Sequence, residues 1–157
     1  MKTYKETIEH RIPEILETCS KKDWDSYNAE PVSVAAVGKI SLLLGRFEKM
    51  GIACPDEIYA VPDGDVELIW EWYKGDWKIP VDKQERYEWT MIIAVSENSL
   101  DGKGDCLFFE FDVRDGVSKN DPKDFHLYFN CMDGVFPKEM VDKINQLVKW
   151  KEEHTGP

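Results

Sequence analysis

Pro62-Asp63-Gly64-Asp65-Val66-Glu67-Leu68-Ile69-Trp70-Glu71-Trp72-Tyr73 decides the fold of this chain. Asp63-Gly64 is a strong hairpin signal, because glycine takes the left-handed turn conformations that match the twist of paired strands. After the turn, Val66, Leu68, Trp70 and Trp72 alternate with Glu67, Ile69, Glu71 and Tyr73. That two-residue period belongs to an antiparallel strand with one covered and one wet face. Residues 57–61 form the other arm of the hairpin. The same alternation recurs at residues 87–95, 106–113 and 125–131, with Asp101-Gly102-Lys103-Gly104 as a turn and a polar loop before the last of these. In the fourth strand it places Leu107, Phe109, Phe111 and Val113 inward and Glu110 and Asp112 outward.

Helical spacing brackets this sheet. Tyr4, Ile8, Ile12, Ile15, Leu16 and Cys19 recur at three and four residues, with a kink or late start expected at Pro13. Ser33 is placed to cap a second helix whose stripe is Val37, Ile40, Leu44 and Phe47, and Gly51 to end it. Pro137 in a first turn, followed by Met140, Ile144, Leu147 and Val148, frames a third. The order helix, helix, five strands, helix predicts an α+β domain over residues 1–157. It comprises two N-terminal helices, a five-stranded antiparallel meander and a C-terminal helix packed on one sheet face.

The 157 residues are 42% hydrophobic and 12% aromatic, enough for one real core rather than a disordered chain. Cysteines 19, 54, 106 and 131 form no CxxC pair, and the first residues lack the apolar run of a signal peptide, so free thiols in a cytoplasmic protein are expected. No apolar run approaches the roughly 20 residues that cross a bilayer. The net charge of −11 is uneven: residues 56–124 hold 18 acids against 8 bases, whereas residues 1–55 are balanced at 8 and 8. A negative field of that kind repels phosphate backbones and anionic lipids and favours basic partners.

Catalytic signatures are missing. His10, His126 and His154 have no histidine or cysteine at helical ligand spacing, so no metal site or cofactor is expected. Neither a phosphate-cradling glycine loop nor a Gly-x-Ser-x-Gly elbow occurs. Pro62-Asp63 with Asp76-Trp77-Lys78 imitates a metal-dependent nuclease core, but an eight-residue strand holds the two turns about 25 Å apart, too far to share one cation.

Asp23-Trp24-Asp25-Ser26-Tyr27-Asn28-Ala29-Glu30-Pro31-Val32-Ser33, followed by a helix, Pro62-Asp63-Gly64 and a strand carrying Glu71-Trp72, resembles a family of small prokaryotic proteins. Its first motif usually reads Trp-Asp-Gly-Tyr-Gly-Ala. The likeness covers residues 22–72, with Ser26 and Asn28 in place of two family glycines. Members occur in chromosomes, plasmids and phages without an established activity, so the resemblance implies fold and a mobile-element context only. In the motif itself, Trp24 and Tyr27 are spaced to dock two rings on one patch and Asp25 to bond nearby amides.

Two sites follow as expectations. The first is an acidic sheet face in which Glu67, Glu71, Glu110 and Asp112, joined by Glu88 and His126, meet a basic protein, with Tyr73 as an aromatic anchor. Its expected function is a non-enzymatic inhibitor from a phage or mobile element that occludes a nucleic-acid-binding surface, carboxylates standing where phosphates would. An immunity protein or antitoxin would use the same physics. The second is a small-molecule pocket, or that of a modest enzyme, lined by Trp24 and Tyr27 with Asp25 as polar anchor.

Overall fold

The computed structural model describes residues 3–27, 29–76, 78–96, 104–114, 117–118, 126–130 and 135–154. Asn28, Trp77, the turn residues 101–103, most of the polar loop after the fourth strand, Phe125 and Cys131 lie outside the described residues. The chain forms α1 (Tyr4–Glu6), α2 (Ile12–Cys19), α3 (Val34–Met50) and α4 (Lys138–His154). Its strands are β1 (Glu57–Ala60), β2 (Val66–Lys74), β3 (Tyr87–Val95), β4 (Cys106–Arg114), β5 (Val117–Ser118) and β6 (His126–Phe129).

Thr3 opens the first helix with a reciprocal cap: its hydroxyl accepts from the Glu6 amide, and the Glu6 carboxylate accepts from the Thr3 amide. Pro13 does not delay the start of this helix, which begins at Tyr4. A π turn over Thr7–Arg11 joins α1 to α2 immediately before it, closed by the Ile12 amide on the Thr7 carbonyl. The wider turn absorbs the missing proline N–H, and the helix continues. In α3 the expected ends are found: Ser33 Oγ accepts from the Ala36 amide at 3.0 Å, and Gly51 stops the helix at φ +76°.

Strands β1 to β4 make the antiparallel meander, each bonded to its neighbours in sequence. The fifth position is shared. β5 pairs with Val113 and Arg114, and β6 pairs with residues 106–109 of the same strand, both antiparallel. The helices gather on one face. Val66, Leu68, Trp70 and Trp72 of β2, Met91, Ile93 and Val95 of β3, and Cys106 and Phe108 of β4 join the apolar stripes of α2, α3 and α4 in one buried cluster. Phe47 of α3 meets Trp70 at 6.0 Å between ring centres, and Trp150 of α4 meets Trp72 edge-on at 4.2 Å.

The register across β3 overturns the expected faces of β4. Met91 lies opposite Glu110 and Ile93 opposite Phe108, so Cys106, Phe108, Glu110 and Asp112 share the helix-covered face. Leu107, Phe109, Phe111 and Val113 turn to the other side and are half-buried. Alternation alone favours the more apolar set as the inside. Partners for Glu110 reverse that preference: Lys143 Nζ of α4 lies 2.8 Å from its Oε2, and Trp89 Nε1 of β3 donates to its Oε1 at 2.9 Å.

Candidate functional site

The sheet face away from the helices is a graded surface built from cross-strand rows. One row runs Glu57, Ile69, Ile92, Phe109, His126 across five strands. Beside it lie Tyr59, Glu67, Ala94, Leu107, Tyr128 and, on the other side, Glu71, Thr90, Phe111. Tyr73, Glu88 and Val113 follow. Carboxylates collect towards β1 and β2, aromatic and aliphatic groups towards β4, and no ladder position on this face is Lys or Arg. Thr90 sits at the centre, 9% exposed, its hydroxyl without a hydrogen-bond partner among the described residues.

The carboxylates are electrostatically unsatisfied. Burial, reinforced by Asp63 and Glu67, pushes the Asp65 carboxyl up to about 6. Glu67 is raised by burial and by Asp63. Glu71 is raised by burial and then by Asp56 and Glu57, with Lys151 pulling it back. Each bears the repulsion of its neighbours, a cost that an incoming cation removes.

This arrangement sets a pH dependence. The Asp65 carboxyl binds its proton more tightly folded than unfolded, so stability falls as pH rises between 3.8 and about 6. The melting temperature is therefore expected to rise on acidification from pH 7 to pH 5. Asp65→Asn should reproduce part of that gain at neutral pH, about 0.5–1 kcal/mol once its partial exposure is discounted. Scanning calorimetry at the two pH values checks both; a variant no more stable than wild type at pH 7 would contradict the assignment.

Of the residues expected at the acidic site, Glu67, Glu71 and Tyr73 do share this face, with Glu88 and His126. Glu110 and Asp112 do not: Glu110 is 4% exposed among helix-facing groups, and Asp112 lies 3.9 Å from Arg114 Nε. Glu57, Phe109 and Phe111 belong to the face but escape a reading that phases β4 by its hydrophobicity. One sign is available in the sequence. Met140, Lys143, Ile144 and Leu147 fall on one helical stripe, so a lysine interrupts an apolar face and asks for a buried acid.

The tryptophan loop is a hydrogen-bonded brace. Trp24 Nε1 donates to the Glu30 carbonyl at 2.8 Å, and Asp25 Oδ1 accepts from the amides of Tyr27 and Ala29 at 2.8 and 3.1 Å. Tyr27 is 88% exposed, which corrects its pairing with Trp24 on one patch. Ser26 takes φ +65°, the left-handed backbone that glycine favours. Glu30 donates its amide to the Pro62 carbonyl at 2.7 Å, and a Cβ on Gly64 would come within 3.2 Å of the Pro31 carbonyl oxygen. The two halves of the motif, some thirty residues apart in sequence, therefore meet in space.

Two sizeable cavities open elsewhere. One of about 310 Å³ lies at the end of the sheet among Trp72, Tyr87 and Trp150, where Lys74 is paired with Glu85 at 3.5 Å. The larger, about 510 Å³, lies between the N-terminal helix, the end of α3 and α4. Among the described residues no group of three or more His, Cys, Asp or Glu side chains is placed to hold a metal ion, and no helix is long and apolar enough to cross a membrane. Comparison of the chain with protein-family models, curated proteins and solved structures returned no match.

Proposed function

We propose that the chain is a non-enzymatic binding protein that docks a positively charged protein surface on the sheet face away from its helices. The observation that carries this reading is the absence of any Lys or Arg at the ladder positions of a face bearing Glu57, Glu67, Glu71 and Glu88. Glu67 and Glu71, raised by burial and then by neighbouring acids, gain from a cationic partner, and the adjoining Phe109 and Phe111 offer apolar area to hold it. A nucleic-acid-binding groove has the matching chemistry: basic groups spaced for phosphates and apolar surface for bases. Occlusion of such a groove makes the protein an inhibitor of the kind carried by phages and mobile elements, working in the cytoplasm without contacting nucleic acid or membrane itself. An immunity protein or antitoxin would act through the same face.

The test uses the basic protein that copurifies from the native host, titrated against Glu67→Lys/Glu71→Lys/Glu88→Lys. The triple reversal is expected to weaken binding at least about 100-fold, since it replaces attraction by repulsion at the contact. Glu9→Lys/Glu14→Lys/Glu17→Lys, the same change of charge on the exposed side of the N-terminal helix, should cost only the few-fold due to long-range steering. Equal losses in the two variants would sink the docking face.

A further inference from the structure

The 510 Å³ cavity is assembled from four parts of the chain and is of the size that holds a small organic molecule. Tyr4, Ala53, Trp70 and Val148 supply its apolar and aromatic wall, and Glu48, Asp56, Lys151 and Glu152 its charged groups. The wall's strongest donors are already used. Tyr4 Oη donates to the Ile52 carbonyl at 2.6 Å, and Trp70 Nε1 donates to the Ala53 carbonyl at 2.8 Å. Lys151 is committed as well, its Nζ 2.6 Å from Asp56 Oδ2, which also accepts the Glu71 amide at 2.8 Å. What remains for a guest is aromatic surface and the carboxylates of Glu48 and Glu152, both exposed at the rim. The same negative surroundings act on Tyr4, whose phenol is raised by burial and then by Cys54 and Glu48.

We infer that this cavity binds an organic amine: an aromatic or aliphatic body against Tyr4, Ala53 and Val148, with its ammonium group at Glu48 and Glu152. A carboxylate or phosphate guest would meet acceptors where it needs donors, and a neutral one would leave both glutamates unanswered. An ammonium brings its own donors, gains from two carboxylates and can lie over an aromatic face. The site is separate from the proposed docking face, and its occupant is a small molecule rather than a protein.

Cys54 provides the readout. It lines the cavity and is half-exposed, whereas Cys19 and Cys106 are buried. In a Cys131→Ser background, the rate of Cys54 alkylation and calorimetric titration are measured with tryptamine, indole-3-propionate and indole as probes. Tryptamine is expected to bind and to slow alkylation several-fold at saturation, with the acid and indole binding at least about tenfold more weakly, one charged contact's worth. Glu48→Gln/Glu152→Gln, at exposed positions where folding is not at risk, should weaken tryptamine about five- to tenfold and leave indole unchanged. Val148→Trp should fill the cavity and abolish protection. No tryptamine binding, or equal binding of indole-3-propionate, overturns the inference, as does unchanged tryptamine affinity in the double glutamine variant. None of these results bears on the charge-reversal test of the sheet face.

Discussion

Lys143→Met is expected to destabilise the fold by about 3–5 kcal/mol, because it strands a carboxylate inside the protein. Glu110 is 4% exposed, and the lysine 2.8 Å away is its counter-ion. The Trp89 indole N–H would remain, but a single hydrogen bond to a charged group is worth about 1.5–3 kcal/mol and does not offset the desolvation of an unpaired ion. Glu110→Met/Lys143→Met, which removes both charges and keeps apolar volume, is expected to lie within about 1–2 kcal/mol of wild type. Urea unfolding at pH 7 distinguishes the three proteins. A loss below about 1 kcal/mol for the single variant would mean that water reaches the pair, and that the ion pair does not hold the acidic side of β4 against the helices.

Trp70→Ala should cost a comparable amount, about 3–5 kcal/mol, for a different reason. The side chain is fully buried at the junction of β2 with α3 and the loop after Gly51, touching Phe47 and donating to the Ala53 carbonyl. Truncation removes the largest fully buried side chain and leaves that carbonyl without its donor. Trp70→Phe separates the two effects. It retains most of the volume and loses only the hydrogen bond, so about 1–2 kcal/mol is expected. Should the phenylalanine variant unfold as easily as the alanine one, the junction would depend on the indole hydrogen bond more than on packing. Denaturant midpoints for both variants decide the matter.

Much of the fold is legible in the chain because local chemistry and the tertiary environment agree. Ser33, Gly51 and the Asp63-Gly64 turn do in the structure what their residue types favour anywhere. Alternation phases β2 correctly, since its four inward residues are apolar and three of its outward ones polar. It fails for β4, because the more apolar set, Leu107, Phe109, Phe111 and Val113, lies away from the helices, and the face that goes inside carries an acid whose partner is 33 residues later on α4. Alternation reports only what one strand prefers; it is blind to a counter-ion delivered by another element. Pro13 is legible as a point of distortion but not in the form the distortion takes. A late start is one way to accommodate the missing N–H, and the π turn is another. Of the candidate sites, the acidic half of the sheet face can be read from β2 and β3. Its apolar half vanishes with the phase of β4, and the cavity beside Cys54, which draws on residues 3–152, has no linear signature at all.

The grading of the sheet face away from the helices, acid at one side and aromatic at the other, has a consequence for the behaviour of the protein in concentrated solution. Aromatic groups on a sheet face invite stacking of like on like, the first step of aggregation. Here any two copies that stack must strip water from Glu57, Glu67, Glu71 and Glu88 on both partners, with no Lys or Arg at the ladder positions of either face to compensate. The barrier is titratable: Glu67 and Glu71, already reluctant to ionise, are among the first carboxylates to take protons as a solution is acidified. Added salt screens what charge remains. Neutral pH and modest ionic strength are therefore the conditions under which two such faces are expected to repel each other most.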